Sequence, residues 1–168
     1  MKTFYRLLFY SILMLFLTNG SCEKPEQEIP TGDNTFSCFI NGELFVPKGN
    51  TNVTTTPTND GLSFYKYEDF FQANIQDYEK YYVMFNIVNW EIGTFNVSNS
   101  SGVLTDHSLN HAMVRMDGIW YLSKENSGTV TFSEASIDGN TKGIFEFTLY
   151  NENDDSDVIH VTNGQFDD

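Results

Sequence analysis

The stretch Gly143-Ile144-Phe145-Glu146-Phe147-Thr148-Leu149-Tyr150 decides how this chain folds. Phe145, Phe147 and Leu149 share one parity; Ile144, Glu146, Thr148 and Tyr150 share the other. Successive side chains of a strand point to opposite faces, so this is a strand with one buried side and one wetter side. Its formula, a glycine followed by alternation, recurs at Gly93-Thr94-Phe95-Asn96-Val97 and at Gly128-Thr129-Val130-Thr131-Phe132. In each case the glycine reads as a turn from which a strand starts.

Turn signals flank these runs. Asn41-Gly42 separates TFSCFI from ELFVP, and Asp117-Gly118 separates HAMVRM from IWYLSK. Both dipeptides suit a type I′ hairpin turn, which needs positive φ at both central residues. Pro47 ends the second strand or marks it as an edge. Asp138-Gly139-Asn140 makes a turn before Gly143. The last strand pair is interrupted by NENDDSD, Asn151 to Asp157, and closes on Asn163-Gly164-Gln165-Phe166. Leu62–Tyr67, Phe70–Gln76 and Tyr81–Val88 are further strands. Phe71, Ile75, Tyr78 and Tyr82 also fall at helical spacing, so an amphipathic helix over Glu68–Tyr82 is the competing reading there.

About ten short strands spaced by turns predict an all-β domain, an antiparallel β-sandwich or flattened barrel, with a calycin-like closed barrel as the alternative. The predicted core is Phe85, Ile87, Phe95, Val97, Val130, Phe132, Phe145, Phe147 and Leu149.

Composition agrees. A chain of 168 residues with 15 Phe, 9 Tyr and 2 Trp can bury a sizeable aromatic core without staples. Twenty-three acidic residues against nine basic ones give a net charge of −14. Such a chain repels phosphate backbones and anionic lipid surfaces, so nucleic acid is excluded as a partner and a basic patch cannot be the membrane attachment.

The N-terminus supplies a different attachment. Lys2 and Arg6 precede an apolar run, Leu7 to Leu17, and then Thr18-Asn19-Gly20-Ser21 and Cys22. Charged, apolar and small segments in that order form a secretory signal; the run is too short to span a bilayer. Gly20 and Ser21 directly before Cys22 resemble the lipobox of bacterial lipoproteins, although Asn19 stands where an apolar residue is usual. The resemblance implies cleavage before Cys22 and acylation of that residue. Two or more acyl chains anchor stably where one does not. The competing use of Cys22 is a disulfide with Cys38, the only other cysteine. Glu23 to Asn34 is acidic and Pro-containing with no hydrophobic period, so it reads as a flexible tether. An acidic stretch at this place is similar to the surface-export signal of Bacteroidetes-type lipoproteins. The expected organisation is therefore residues 1–21 as signal peptide, 22–34 as lipidated cysteine and tether, and 35–168 as one all-β domain on the outer membrane, facing outward.

The domain carries a resemblance too. Phe36, Cys38, Asn41, Gly42 and Pro47 at its start resemble small Bacteroidetes outer-membrane lipoproteins grouped as a domain of unknown function. So do the G-T-V-T-F, G-I-F-E-F and V-T-N-G-Q-F segments near its end. That grouping implies fold and localisation and transfers no catalytic residue.

Chemistry is sparse. His107 and His111 stand four apart but lack the intervening Glu of a zinc hydrolase, and His160 is distant, so they read as loop histidines in solvent. Asn151 to Asp157 is rich in oxygen ligands but does not match an EF-hand, leaving calcium as a weak alternative to a solvated hairpin tip. Cys38 shares a strand face with Phe36 and Ile40 and reads as a buried, inert thiol. Glu68 and Asp69 are adjacent and would face opposite sides of a strand. No catalytic residue or metal site is assigned. Trp90 and Trp120 are the candidate ligand-binding residues, because exposed aromatics stack on sugar rings. The polar loops Lys48–Gly61 and Ser98–Asn110 are candidate binding loops. The functional expectation is a non-enzymatic cell-surface binding or envelope-structural module with a glycan or surface protein as partner. The alternatives are a small-ligand carrier or hydrolase with an internal barrel pocket, and a carbohydrate-binding accessory protein.

Overall fold

The computed structural model describes residues 35–47, 61–77 and 80–168. The signal segment, Cys22, the tether and residues 48–60 of the first candidate loop lie outside the described residues.

Ten strands and no helix make up the described chain: β1 (Thr35–Ile40), β2 (Glu43–Phe45), β3 (Leu62–Lys66), β4 (Phe70–Gln76), β5 (Tyr81–Val88), β6 (Gly93–Asn96), β7 (His111–Met116), β8 (Ile119–Glu134), β9 (Lys142–Asn151) and β10 (Asp154–Asp167). All pairings are antiparallel. The sheet order is β2-β1-β10-β9-β8-β7-β5-β4-β3, with β6 added beside β8. The expected all-β antiparallel architecture is what the chain adopts, as one sheet curled into a half-barrel whose concave side is the core.

The two hairpin dipeptides act as their chemistry requires. Asn41 and Gly42 have φ of 51° and 81°, and Asp117 and Gly118 have 51° and 85°. Those angles match the right-handed twist of the flanking strands. β4 and β5 are strands where a helix was the alternative. Their alternation puts Phe71, Ala73, Ile75, Val83, Phe85 and Ile87 on the concave face, and neighbouring strands on both sides supply the ladder. Strand pairing thus overrides the local helical spacing.

Rings fill the concave side. Phe71 lies against Phe132 (centroids 5.1 Å), Phe166 (5.5 Å) and Phe85 (6.0 Å). Phe85 meets Phe145 at 5.2 Å and Phe147 at 5.9 Å. β10 is far from β4 in sheet order, so the Phe71–Phe166 contact measures how tightly the sheet curls. Each such ring removed from water contributes about 1.5–3 kcal/mol. Of the predicted core, only Phe95 is less than buried; it packs from β6 onto Phe132 at 5.9 Å.

Three glycines make room for this filling. Gly128, Gly143 and Gly164 sit within strands, not at their starts, and a Cβ there would collide with the rings of Phe147, Phe166 and Phe145 respectively. Glycine in a strand interior often marks such a close approach. This corrects the reading of Gly128 and Gly143 as turns from which strands start. Residues 124–127 form a bulge in β8, and β10 bulges between Val161 and Gly164. A second correction concerns NENDDSD: pairing resumes at Asp154, so only Glu152 and Asn153 turn.

Candidate ligand-binding cleft

Trp90 follows β5 at one end of the half-barrel. Its indole N–H donates to the Tyr67 carbonyl at 2.7 Å, and its ring packs on Phe71 (5.4 Å) and Phe132 (5.7 Å). The residue is half-buried; the rest of it lines an open cleft of about 560 Å³. Glu68 from the β3–β4 turn, Glu91 and Ile92 from the β5–β6 turn, and Ser136, Ile137 and Asp138 from the β8–β9 loop form the other walls. Ile92 is 67% exposed and Ile137 45%, so two large aliphatic side chains of the lining stand open to solvent.

The cleft walls are tied together. Asn89, at φ 49°, donates its N–H to the Asp69 carbonyl at 2.8 Å, joining the two short turns. Lys66 Nζ donates to the Gly139 carbonyl at 2.9 Å and pairs with Asp168 at 2.8 Å. Thr141 and Asp168 exchange backbone hydrogen bonds at 2.7 and 3.0 Å, and Thr141 Oγ1 donates to Ser136 O. The loop is held before any ligand arrives, which lowers the ordering cost of binding.

Trp120 does not join Trp90. It lies half-buried on the convex face, edge-on to Tyr82 (5.8 Å, 82°) and under Arg115 (5.6 Å). Tyr82 and Val88 are six residues apart along β5, about 20 Å at strand rise, and Trp90 follows the turn at Asn89 beyond that end. The sequence offered both tryptophans as sugar candidates; Trp90 lines the cleft and Trp120 lies away from it.

The histidines are not where the sequence put them. His111 opens β7 and is fully buried. His107 is half-buried, its ring flat on Phe70 (4.0 Å, 9°) and Nδ1 3.2 Å from Asn86 Oδ1. Only His160 is exposed; it lines a second, smaller groove of about 480 Å³ with Glu146, Thr148 and Tyr150. The Ser98–Asn110 segment lies folded on the convex face, where Met84 and Met113 are also buried, and accepts from Gln72 and Asn86 through the carbonyls of Leu104 and Leu109. It is a packed cover; the alternating period of β5 gave no sign of it.

The remaining candidates are accounted for by neighbours. Asp157 accepts from Tyr121 Oη (2.9 Å) and Asn151 Nδ2 (2.8 Å), Asp154 from Ser156, and Asp155 pairs with Lys124 at 2.6 Å. Among the described residues no group of three His, Cys, Asp or Glu is placed to hold a metal ion. Cys38 is buried, and desolvation pushes its thiol far up, away from the reactive thiolate. Glu68 and Asp69 lie exposed in a turn, not on opposite faces of a strand.

No protein-family model, curated protein or solved structure matches this chain.

Proposed function

We propose that this chain is a cell-surface lipoprotein of the outer membrane that works as a non-enzymatic binding module, with its ligand seated in the Trp90 cleft. The tripartite N-terminal signal ending at Cys22 and the likeness to small Bacteroidetes lipoproteins support the localisation. One observation carries the binding site: the concave side is occupied by phenylalanine rings, while the end beside Trp90 stays open and is walled by three tied loops. A carrier with an internal pocket would need the volume those rings occupy. An aromatic wall next to polar side chains also favours the second reading, a carbohydrate-binding accessory protein.

The test is a broad array of glycans and peptides probed with the full-length chain in detergent, with and without calcium. Ile92→Lys fills and recharges the cleft; Ile144→Lys, on the exposed face of β9, is the control. A ligand whose signal is lost in the first variant and kept in the second places binding at the cleft. Signals equal in both variants would reject it.

A further inference from the structure

We propose that the ligand of the Trp90 cleft is a basic peptide segment. A lysine or arginine stem would lie on Trp90, Ile92 and Ile137, and its charged end would meet Glu68, Glu91 and Asp138. This rests on the cleft being the binding site and adds the chemistry of what binds.

The charge balance around the cleft carries the inference. All three carboxylates are on exposed residues lining one concavity, and no cation among the described residues pairs with any of them. Of the five cations of the described residues only Lys66 comes near the cleft, through its hydrogen bond to Gly139 O, and each of the five has another partner. Lys66 pairs with Asp168, Lys80 with Glu43, Lys124 with Asp155, Lys142 with Glu134 and Asp167, and Arg115 lies on the Trp120 ring. Among the described residues the cleft therefore presents three carboxylates without an ion-pair partner beside apolar side chains. Lysine and arginine carry three or four methylenes that bury on apolar surface while the charged head stays with polar groups. An aromatic wall adds attraction for a cation. A neutral sugar would satisfy the ring but leave the three carboxylates of the lining without a cation. An anionic ligand would be repelled by them and by the net charge of −14.

The depth and rim of the cleft favour a peptide over a free amine. About 560 Å³ is more than one side chain fills, and Ile92 and Ile137 leave exposed apolar surface along it. An open cleft lets a chain run through it, where a small amine would be held on one side only.

Fluorescence anisotropy of the full-length chain in detergent at physiological salt tests this, with a labelled lysine- and leucine-containing octapeptide, its glutamate counterpart and a labelled neutral oligosaccharide as probes. The cleft variant is Glu68→Gln, Glu91→Gln, Asp138→Asn. The control removes the same charge far away, through Glu125→Gln, Glu146→Gln, Glu152→Gln, all exposed. The expected result is at least about tenfold weaker binding of the basic peptide by the cleft variant and less than about twofold change by the control. Far-UV circular dichroism confirms that both variants fold. Equal weakening by the two variants would mean diffuse attraction to an acidic protein and overturn the proposal. Binding of the oligosaccharide, lost in Ile92→Lys but unchanged by the neutralised cleft, would overturn the peptide while keeping the cleft as the site. No probe responding to any cleft variant would reject the site itself.

Discussion

Ser100 Oγ lies 2.9 Å from Nδ1 of His111, while Nε2 of the same ring is buried and meets no partner among the described residues. The Ser98–Asn110 cover brings this about: Ser100 descends from it onto β7, and Met84 and Met113 are buried on the same convex face. A neutral imidazole donates at one nitrogen and accepts at the other, so this environment serves one side of the ring only. Burial holds His111 below its ordinary value of 6.5, with Asp106 pulling the other way and His107 adding to the depression.

Acid should therefore destabilise the fold through His111. With the folded value depressed, the unfolded chain takes up the proton first as pH falls below 6.5. The contribution is fully present above 6.5 and is lost as pH drops from there towards the folded value. Melting temperatures recorded from pH 7.5 to 5.0 should fall more steeply for the wild type than for His111→Gln. Parallel curves would show that this ring does not resist protonation.

The two tryptophans should part company in stability. Trp90 packs on Phe71 and Phe132 and donates to Tyr67 O, so Trp90→Ala should cost about 2–4 kcal/mol. Trp120 lies on the convex face with Tyr82 and Arg115, and Trp120→Ala should cost about 1 kcal/mol or less. Urea denaturation of both variants reads the difference directly. Similar costs would contradict the placement of one tryptophan at the core margin and the other on the surface.

These contrasts mark what the sequence could and could not reveal. Alternation at Phe145, Phe147 and Leu149 and the Asn-Gly and Asp-Gly turns are local signals, so the strands and the direction of their faces were legible. The convex-face burial of Met84, Met113 and His111 was not, because it depends on where a distant polar segment lands. The Trp90 cleft was legible only as its tryptophan. Glu68, Glu91 and Asp138 come from three separate turns, and only the sheet order β8-β7-β5-β4-β3, which returns each of those turns to the same end, brings them together. The glycine formula misled in part: the residue type was informative, but at Gly128 and Gly143 it signals a ring lying on the backbone instead of a turn.

That distinction is testable with one pair of substitutions. Gly164→Ala pushes a methyl into the Phe145 ring, within a core that has no slack, and should cost about 1–3 kcal/mol through overpacking. Gly42→Ala meets no atom within 4 Å but sits at φ 81°, so its cost of about 1–2 kcal/mol comes from backbone strain. Replacing Phe145 by leucine in the Gly164→Ala background should recover part of the first loss and none of the second. If the smaller side chain rescues nothing, the ring is not what excludes a side chain at position 164.

The use of Cys22 can be decided by its partner. In the disulfide reading Cys22 must reach Cys38, yet Cys38 is wholly buried on the core side of β1 with Phe36 and Ile40, its thiol held protonated by desolvation. Thiolate is the attacking form in disulfide exchange, so that thiol is a poor nucleophile. Acylation asks nothing of Cys38 and adds about 0.8 kcal/mol of membrane affinity per buried methylene. The expected outcome is that Cys22→Ala moves the protein from the membrane fraction to the soluble one, while Cys38→Ala leaves it membrane-bound. Mass spectrometry of the mature N-terminus should find Cys22 first and carrying acyl chains. A mature chain that begins elsewhere, or a Cys22→Ala protein that still sediments with membranes, would remove the anchor and with it the outward-facing placement of the Trp90 cleft.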